Sequence, residues 1–264
     1  FVWSHFPSRQ VMPLGLKMLR LLLRFPLVAL SLLGGGAAAQ APDWRSAAPP
    51  LPLSAPVTAF TTPVAIGGAA WGPWRKLCRE QSERPDRAPR RDCLSVAAVE
   101  RDAAARAVRL SLAPEVLRGE KLAVLRRDDG SIISFTHEPP DAARDGALVP
   151  WRRQFESWSL TARRLAPGAI FEMPIPDQAR GATCRPEGLS RLSARQVLVA
   201  ICAVELAGPL GNTGQEARIA IAGRVAIDVP TGMIAAQGYA ARIETFNGGR
   251  SNGVVVLPSR HWLE

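Results

Sequence analysis

The most constraining feature of this chain is a long stretch in which apolar and polar residues alternate. Between Glu216 and Val229, apolar residues recur with a period of two, and charged residues fall between them. The apolar set is Ile219, Ile221, Val225, Ile227 and Val229, and the charged set is Arg218, Arg224 and Asp228. A period of two places such sets on opposite faces of a β-strand. The pattern therefore predicts a half-buried antiparallel strand that exposes its charged residues.

Neighbouring segments extend this pattern into a meander. Ser193 to Leu206 reads as one long apolar strand, and Met233 to Phe246 reads as a partner strand. Pro230-Thr231-Gly232 joins two of them, because Pro fixes φ near −65° and Gly accepts a positive φ in a tight turn. Val254 to Leu257 predicts a last short strand. The sequence therefore predicts an antiparallel meander over residues 193–257.

The first half of the chain also favours strands. Lys121 to Arg127 and Ser131 to Glu138 are β-type runs joined by Asp128-Asp129-Gly130, which is a strong hairpin signal. Leu94 to Leu112 is ambiguous, because its Ala-rich middle suits a helix whereas its end alternates like a strand. We interpret it as two strands around a turn near Arg101-Asp102.

The main evidence for a helix in the sequence is the spacing of three aromatic residues. Trp151, Phe155 and Trp158 are spaced i, i+4, i+7 and would share one face of a helix, although residues 157–163 also alternate as a strand would. We expect these aromatics to anchor the core. The predicted fold class is mainly β: an antiparallel meander forming a curved sheet or open barrel, with one or two short helices, preceded by a signal-peptide helix.

The segment 18–39 predicts an export signal. Arg20 and Arg24 form a positive flank, an apolar run follows, and Ala37-Ala38-Ala39 supplies the small residues that a signal peptidase needs. The apolar part covers about 15 residues, whereas a membrane-spanning helix needs roughly 20. We predict cleavage after Ala39.

The remaining chain divides into three parts. Residues 1–17 show no periodicity, and we interpret them as a doubtful N-terminal extension ahead of Met18. Residues 40–63 contain six prolines, which predicts a Pro-rich linker, either a tether or an extended segment lying on the domain. Residues 64–264 are expected to form a single β-rich domain.

The basic charge does not indicate nucleic-acid binding. The formal net charge is +10, and it becomes +6 after cleavage because segment 1–39 holds four basic residues and no acid. The arginines are scattered among acidic residues, and a basic patch with stacking aromatics is not evident. We therefore expect no nucleic-acid partner, and membrane contact only through the signal peptide.

Four cysteines lie after the export signal: Cys78, Cys93, Cys184 and Cys202. An even number in an exported chain is typical of disulfides, and proximity in sequence favours the pairs 78–93 and 184–202 among three possible pairings. A zinc site is disfavoured, because no CxxC pair occurs and no His lies at ligand spacing. The charged run from Arg79 to Asp92, between Cys78 and Cys93, predicts a solvated loop.

Catalytic signatures are absent from the sequence. It contains no nucleophile elbow, P-loop, HExxH or dinucleotide fingerprint, and we predict no cofactor and no metal site. Gly208, Gly211 and Gly214 lie in a predicted loop between strands. His137 is a weak candidate for acid–base work with Glu138 or Asp141, but it reads more simply as a surface residue at a strand end. His261 receives the same interpretation, in the C-terminal tail.

The functional expectation is correspondingly general. We expect an exported periplasmic or secreted, envelope-associated protein, non-enzymatic, that either has a structural role or binds a small apolar ligand or an envelope component. The concave face of a curved sheet would form a natural pocket for such a ligand. The alternative hypothesis is a secreted hydrolase that uses His137 with an unidentified partner.

Overall fold

The structure is a computed structural model that describes residues 43–82, 85, 87–115, 119–141, 148, 152, 155–175, 181–209 and 215–264. The predicted extension 1–17 and signal peptide 18–39 lie outside these residues. Trp151 and residues 210–214 of the predicted Gly-containing loop also lie outside them. The predictions made for these segments stay predictions.

The described residues form mainly β-strands. The first strands are β1 (Val64–Ile66), β2 (Lys76–Gln81), β3 (Arg90–Asp102), β4 (Ala107–Pro114), β5 (Leu122–Arg127), β6 (Ile132–His137) and β7 (Arg163–Leu165). The later strands are β8 (Phe171–Met173), β9 (Ala182–Leu192), β10 (Arg195–Pro209), β11 (Glu216–Asp228), β12 (Ile234–Asn247) and β13 (Arg250–Leu263). A short 3-10 helix spans Trp44–Ala47, and residues 155–157 are helical.

Eleven of the strands form one open antiparallel sheet, in the order β6-β5-β4-β3-β2-β13-β12-β11-β10-β9-β8. It consists of an N-terminal meander (β2–β6) and a C-terminal meander (β8–β13), which join where β2 pairs with β13. Strands β1 and β7 form a separate two-stranded sheet. The predicted mainly β, antiparallel fold is confirmed.

The predicted turns also appear, but the last strand is longer than expected. β3 and β4 flank a turn at residues 103–106, and β5 and β6 form the Asp-Gly hairpin. β13 continues through Pro258 to Leu263, whereas the sequence predicts an end at Leu257. Pro258 is tolerated because the β2 ladder begins one residue later, at Ser259, so the missing N–H does not interrupt it.

Apolar side chains are buried in two clusters. The first core takes residues from both meanders and includes Leu110, Val124, Phe155, Trp158 and Val199. The second core includes Leu160, Met173, Leu198, Cys202 and Val225. Along β10, Val197 and Val199 enter the first core, whereas Leu198 and Ala200 enter the second. Burial on both faces explains why this strand is apolar without alternation.

Arg126 shows how strongly the sheet curves. Its side chain is fully buried at the end of β5, where Nη2 donates to the Thr231 carbonyl at 2.8 Å and to Ser159 Oγ at 2.6 Å. Nη1 donates to the carbonyl of Ala70. Five strands lie between β5 and β11 in the sheet order. At roughly 4.8 Å per strand, a flat sheet would keep Arg126 far from the turn that follows β11.

The chain segment 158–162 fixes this curvature from one side. Leu160 N donates to the carbonyl of Gly232 at 2.8 Å, in the turn after β11. Ala162 N donates to the carbonyl of Asp129 at 2.7 Å, in the turn after β5. Gly232 has φ +70°, and a Cβ there would lie 2.3 Å from the Leu160 carbonyl oxygen. The close approach of segment 158–162 to the turn after β11 therefore requires glycine at this position.

Asp228 is buried, and the prediction that it is exposed with Arg218 and Arg224 is wrong. Nε and Nη2 of Arg195 donate to its two carboxylate oxygens, both at 2.6 Å, and the Thr231 hydroxyl also donates to it. The end of β11 is covered on both faces, so alternation alone does not identify an exposed side there. We call this group of side chains the buried polar network; its members are Arg126, Ser159, Arg195, Asp228 and Thr231.

Part of the predicted Pro-rich linker lies against the domain. Leu51, Leu53 and Val57 pack on the first core, and Phe60 packs on the second. Thr58 forms an antiparallel bridge with β9. In the described part of the linker, these contacts are those of an extended segment lying on the domain surface.

Removing the buried carboxylate should destabilise the fold strongly. In Asp228→Ala, Arg195 loses both charge-assisted hydrogen bonds and Thr231 loses its acceptor, so the free energy of unfolding should fall by about 3–5 kcal/mol. Urea denaturation measures this change. The matched control is Glu187→Ala, which removes the carboxylate that Arg224 binds. Glu187 is more exposed than Asp228, so this change should cost at most about 1 kcal/mol. Equal losses in the two variants would contradict a structural role for the network.

Candidate functional site

The four cysteines form two disulfides, and both predicted pairs are confirmed. Cys78 is bonded to Cys93 and Cys184 to Cys202, with Cα–Cα distances of 4.2 Å and 4.1 Å. In each pair the two residues lie directly opposite each other on neighbouring strands. Sulfur engaged in this way does not bind zinc. Two disulfides are typical of an oxidising, extracytoplasmic compartment.

His137 ends β6, as predicted, but its side chain is buried rather than exposed. Its Nε2 lies 3.9 Å from a carboxylate oxygen of Glu120. Glu138, one of the expected partners, approaches Arg109 at 3.5 Å. His137 therefore lies beside Glu120, whereas its neighbour in sequence, Glu138, approaches Arg109.

His261 differs more from its prediction. It lies in β13 between Gln237 of β12 and Arg79 of β2, and its side chain is nine-tenths buried rather than exposed in a tail. The interpretation as a tail failed because Pro258 reads as the end of a strand. Arg79 was likewise expected in a solvated loop, but it belongs to β2 and its side chain is 16% exposed.

His261 lines a cavity of about 200 Å³ beside strands β10 to β13. The cavity lies where the two cores meet, because Trp158 belongs to the first core and Met173 and Val225 belong to the second. Its apolar lining residues include Trp158, Met173, Ile175, Cys202, Val204, Ile221 and Val225. Its polar lining residues are Ser157, Gln237, Tyr239 and His261. The sequence predicts the strands but not this cavity, because its residues come from separate elements.

The environment of His261 keeps its imidazole neutral. Burial, assisted by the nearby Arg79 cation, lowers the pKa of His261 to about 3. The ring lies 5.8 Å from the Trp158 ring, measured between centroids. Among the described residues, the buried Nε2 atom has no hydrogen-bond partner. This atom has almost no accessible surface, so it is enclosed by the protein rather than presented to the cavity.

Arg79 stands behind His261 rather than in the cavity wall. Burial lowers the pKa of Arg79, and the Asp92 carboxylate opposes this shift. The two side chains form an ion pair at 3.7 Å, and Asp92 also accepts a hydrogen bond from Arg90. Arg79 is therefore paired with Asp92, although this one carboxylate faces two guanidinium groups.

The environment of His261 is not suited to acid–base chemistry near neutral pH. A general base works best when its pKa lies near the working pH, and the pKa of His261 lies far below neutrality. The cavity combines an apolar wall with a few polar atoms, which is the usual composition of a small-molecule site. Over the described ranges, no group of three or more His, Cys, Asp or Glu side chains is placed to hold a metal ion.

No protein-family model matches the chain, and no curated protein is similar to it in sequence. In the part of the chain that the structure describes, no helix is both long enough and apolar enough to cross a membrane.

The buried histidine should make the fold acid-sensitive. Between the folded pKa of about 3 and the usual value of 6.5, the unfolded chain binds a proton that the folded chain does not, so stability falls as pH falls. From pH 7 to pH 5 this lowers the free energy of unfolding by about 2 kcal/mol. In His261→Phe this loss should be absent, as measured by urea denaturation at both pH values. Identical pH dependence in the two proteins would contradict the burial of a neutral imidazole.

Proposed function

We propose that this protein binds a small, mainly apolar molecule in the cavity beside β10 to β13. The observation that carries the proposal is the lining: apolar side chains from both cores surround the space, and polar side chains such as Gln237, Tyr239 and His261 lie in the same wall. Contact with the apolar side chains removes ligand surface from water and favours binding. The polar groups can orient a bound molecule.

We further propose that the protein works outside the cytoplasm, in the periplasm or as a secreted protein. Support comes from two independent features, the predicted signal peptide 18–39 and the two disulfides. Disulfides persist in oxidising compartments and are rare in the cytosol. The mature chain in this proposal begins at Gln40.

Of the two functions considered from the sequence, binding has the better support. His137, the residue on which the hydrolase hypothesis depends, is not among the residues that line the cavity. The hydrolase hypothesis is a separate proposal that concerns the surroundings of His137 and Glu120.

Filling the cavity should abolish binding. The neutral fluorescent probe N-phenyl-naphthylamine is expected to bind the wild-type protein saturably. Val204→Trp places a large side chain in the lining, so the affinity for the probe should fall at least about tenfold. The matched control is Ile201→Trp on the same strand, because Ile201 is 40% exposed and does not line the cavity. The proposed function would be overturned if the probe did not bind the wild-type protein saturably, or if both variants bound it equally well.

Export can be tested by expressing the full chain in a bacterial host. The mass of the purified protein should correspond to an N-terminus at Gln40, with all four cysteines oxidised. Replacing Ala37 and Ala39 by Leu should block cleavage, because signal peptidase requires small residues at these positions. A wild-type product that retains residues 18–39 would contradict the export proposal and leave the binding proposal intact.

A further inference from the structure

We infer that the cavity selects an uncharged amphiphile, a molecule with an alkyl or aryl body and one hydroxyl or amide group. An ionised carboxylate, phosphate or amine of the same size should bind more weakly. This inference rests on the proposed binding function and specifies the class of ligand.

The described part of the cavity wall carries no acidic side chain, lysine or arginine. Moving an ionised group from water into such a wall without a charged partner is costly. A neutral head group avoids this cost, and an alkyl or aryl body gains from contact with the apolar lining.

The polar side chains of the wall include Gln237, Tyr239 and His261, which carry amide, hydroxyl and imidazole groups. The imidazole of His261 resists protonation, so it stays neutral at pH 7. One hydroxyl or amide on a ligand can both donate and accept, so it can pair with either tautomer of His261.

Arg79, the cation that lies opposite His261 on β2, is not placed to anchor an anion. It is not among the described lining residues, and its guanidinium lies 3.7 Å from the Asp92 carboxylate. An anionic head group would have to compete with Asp92 for this cation. A site built for an anion instead presents a cation or several N–H donors directly to it.

Competition between ligands of equal chain length tests the inference. Octanol, octanoate and octylamine are titrated at pH 7 against wild-type protein loaded with N-phenyl-naphthylamine. Octanol should displace the probe at a concentration at least about tenfold lower than either charged analogue, which corresponds to about 1.4 kcal/mol. Displacement by octanoate or octylamine at the same concentration as octanol would overturn the inference, although the proposed function would stand. If the wild-type protein does not bind the probe at all, the proposed function itself fails.

A variant tests the role of the imidazole. His261→Phe keeps an aromatic ring but removes the hydrogen-bonding nitrogen, so octanol affinity should fall about tenfold while probe affinity changes less than about twofold. Arg260→Leu is the control on the same strand, because Arg260 is exposed and lies outside the lining. An equal loss of octanol affinity in both variants, or none in His261→Phe, would contradict a hydrogen bond from His261 to the ligand. The wild-type ligand series tests the inference even if His261→Phe does not fold.

Discussion

Two fully buried charges, Arg126 and Asp228, meet through Thr231 at the turn after β11. Arg126 donates to the Thr231 carbonyl, and the Thr231 hydroxyl donates to Asp228, which Arg195 also binds through two hydrogen bonds. Burial lowers the pKa of Arg126 to about 10, so its guanidinium stays charged at neutral pH. Charges buried in this way persist only when hydrogen bonds replace water. The network therefore holds β5 against a turn that five strands separate from it in the sheet.

The curvature that this network maintains also determines where the cavity lies. It brings the segment 158–162 against the turn after β11, and Trp158 then packs on His261 in β13. The Cys184–Cys202 disulfide also contributes to the wall, since Cys202 lines the cavity. The cavity therefore depends on contacts between segments that are far apart in sequence.

The sequence predicted what local patterns encode and missed what packing decides. Alternation predicted β11 and the Asp-Gly sequence predicted the β5–β6 hairpin, because both signals lie within a few residues. The same alternation placed Asp228 on an exposed face, since it does not reveal that both faces of this strand end are covered. The position of His261 was predicted wrongly for a related reason. Pro258 is typical of a strand end, whereas β13 continues through it to Leu263. The candidate site consists of residues from separate strands, so spacing along the chain gives no signal for it.

The most direct test of this account is a high-resolution crystal structure of the protein with octanol. We predict electron density for the alkyl chain against Trp158, Met173 and Val204, with the hydroxyl oxygen at about 2.8–3.0 Å from a polar atom of the wall, such as one on His261, Gln237 or Tyr239. We also predict that Arg126 and Asp228 remain buried in the same network. A cavity that holds only water, or a ligand bound elsewhere on the surface, would contradict the account.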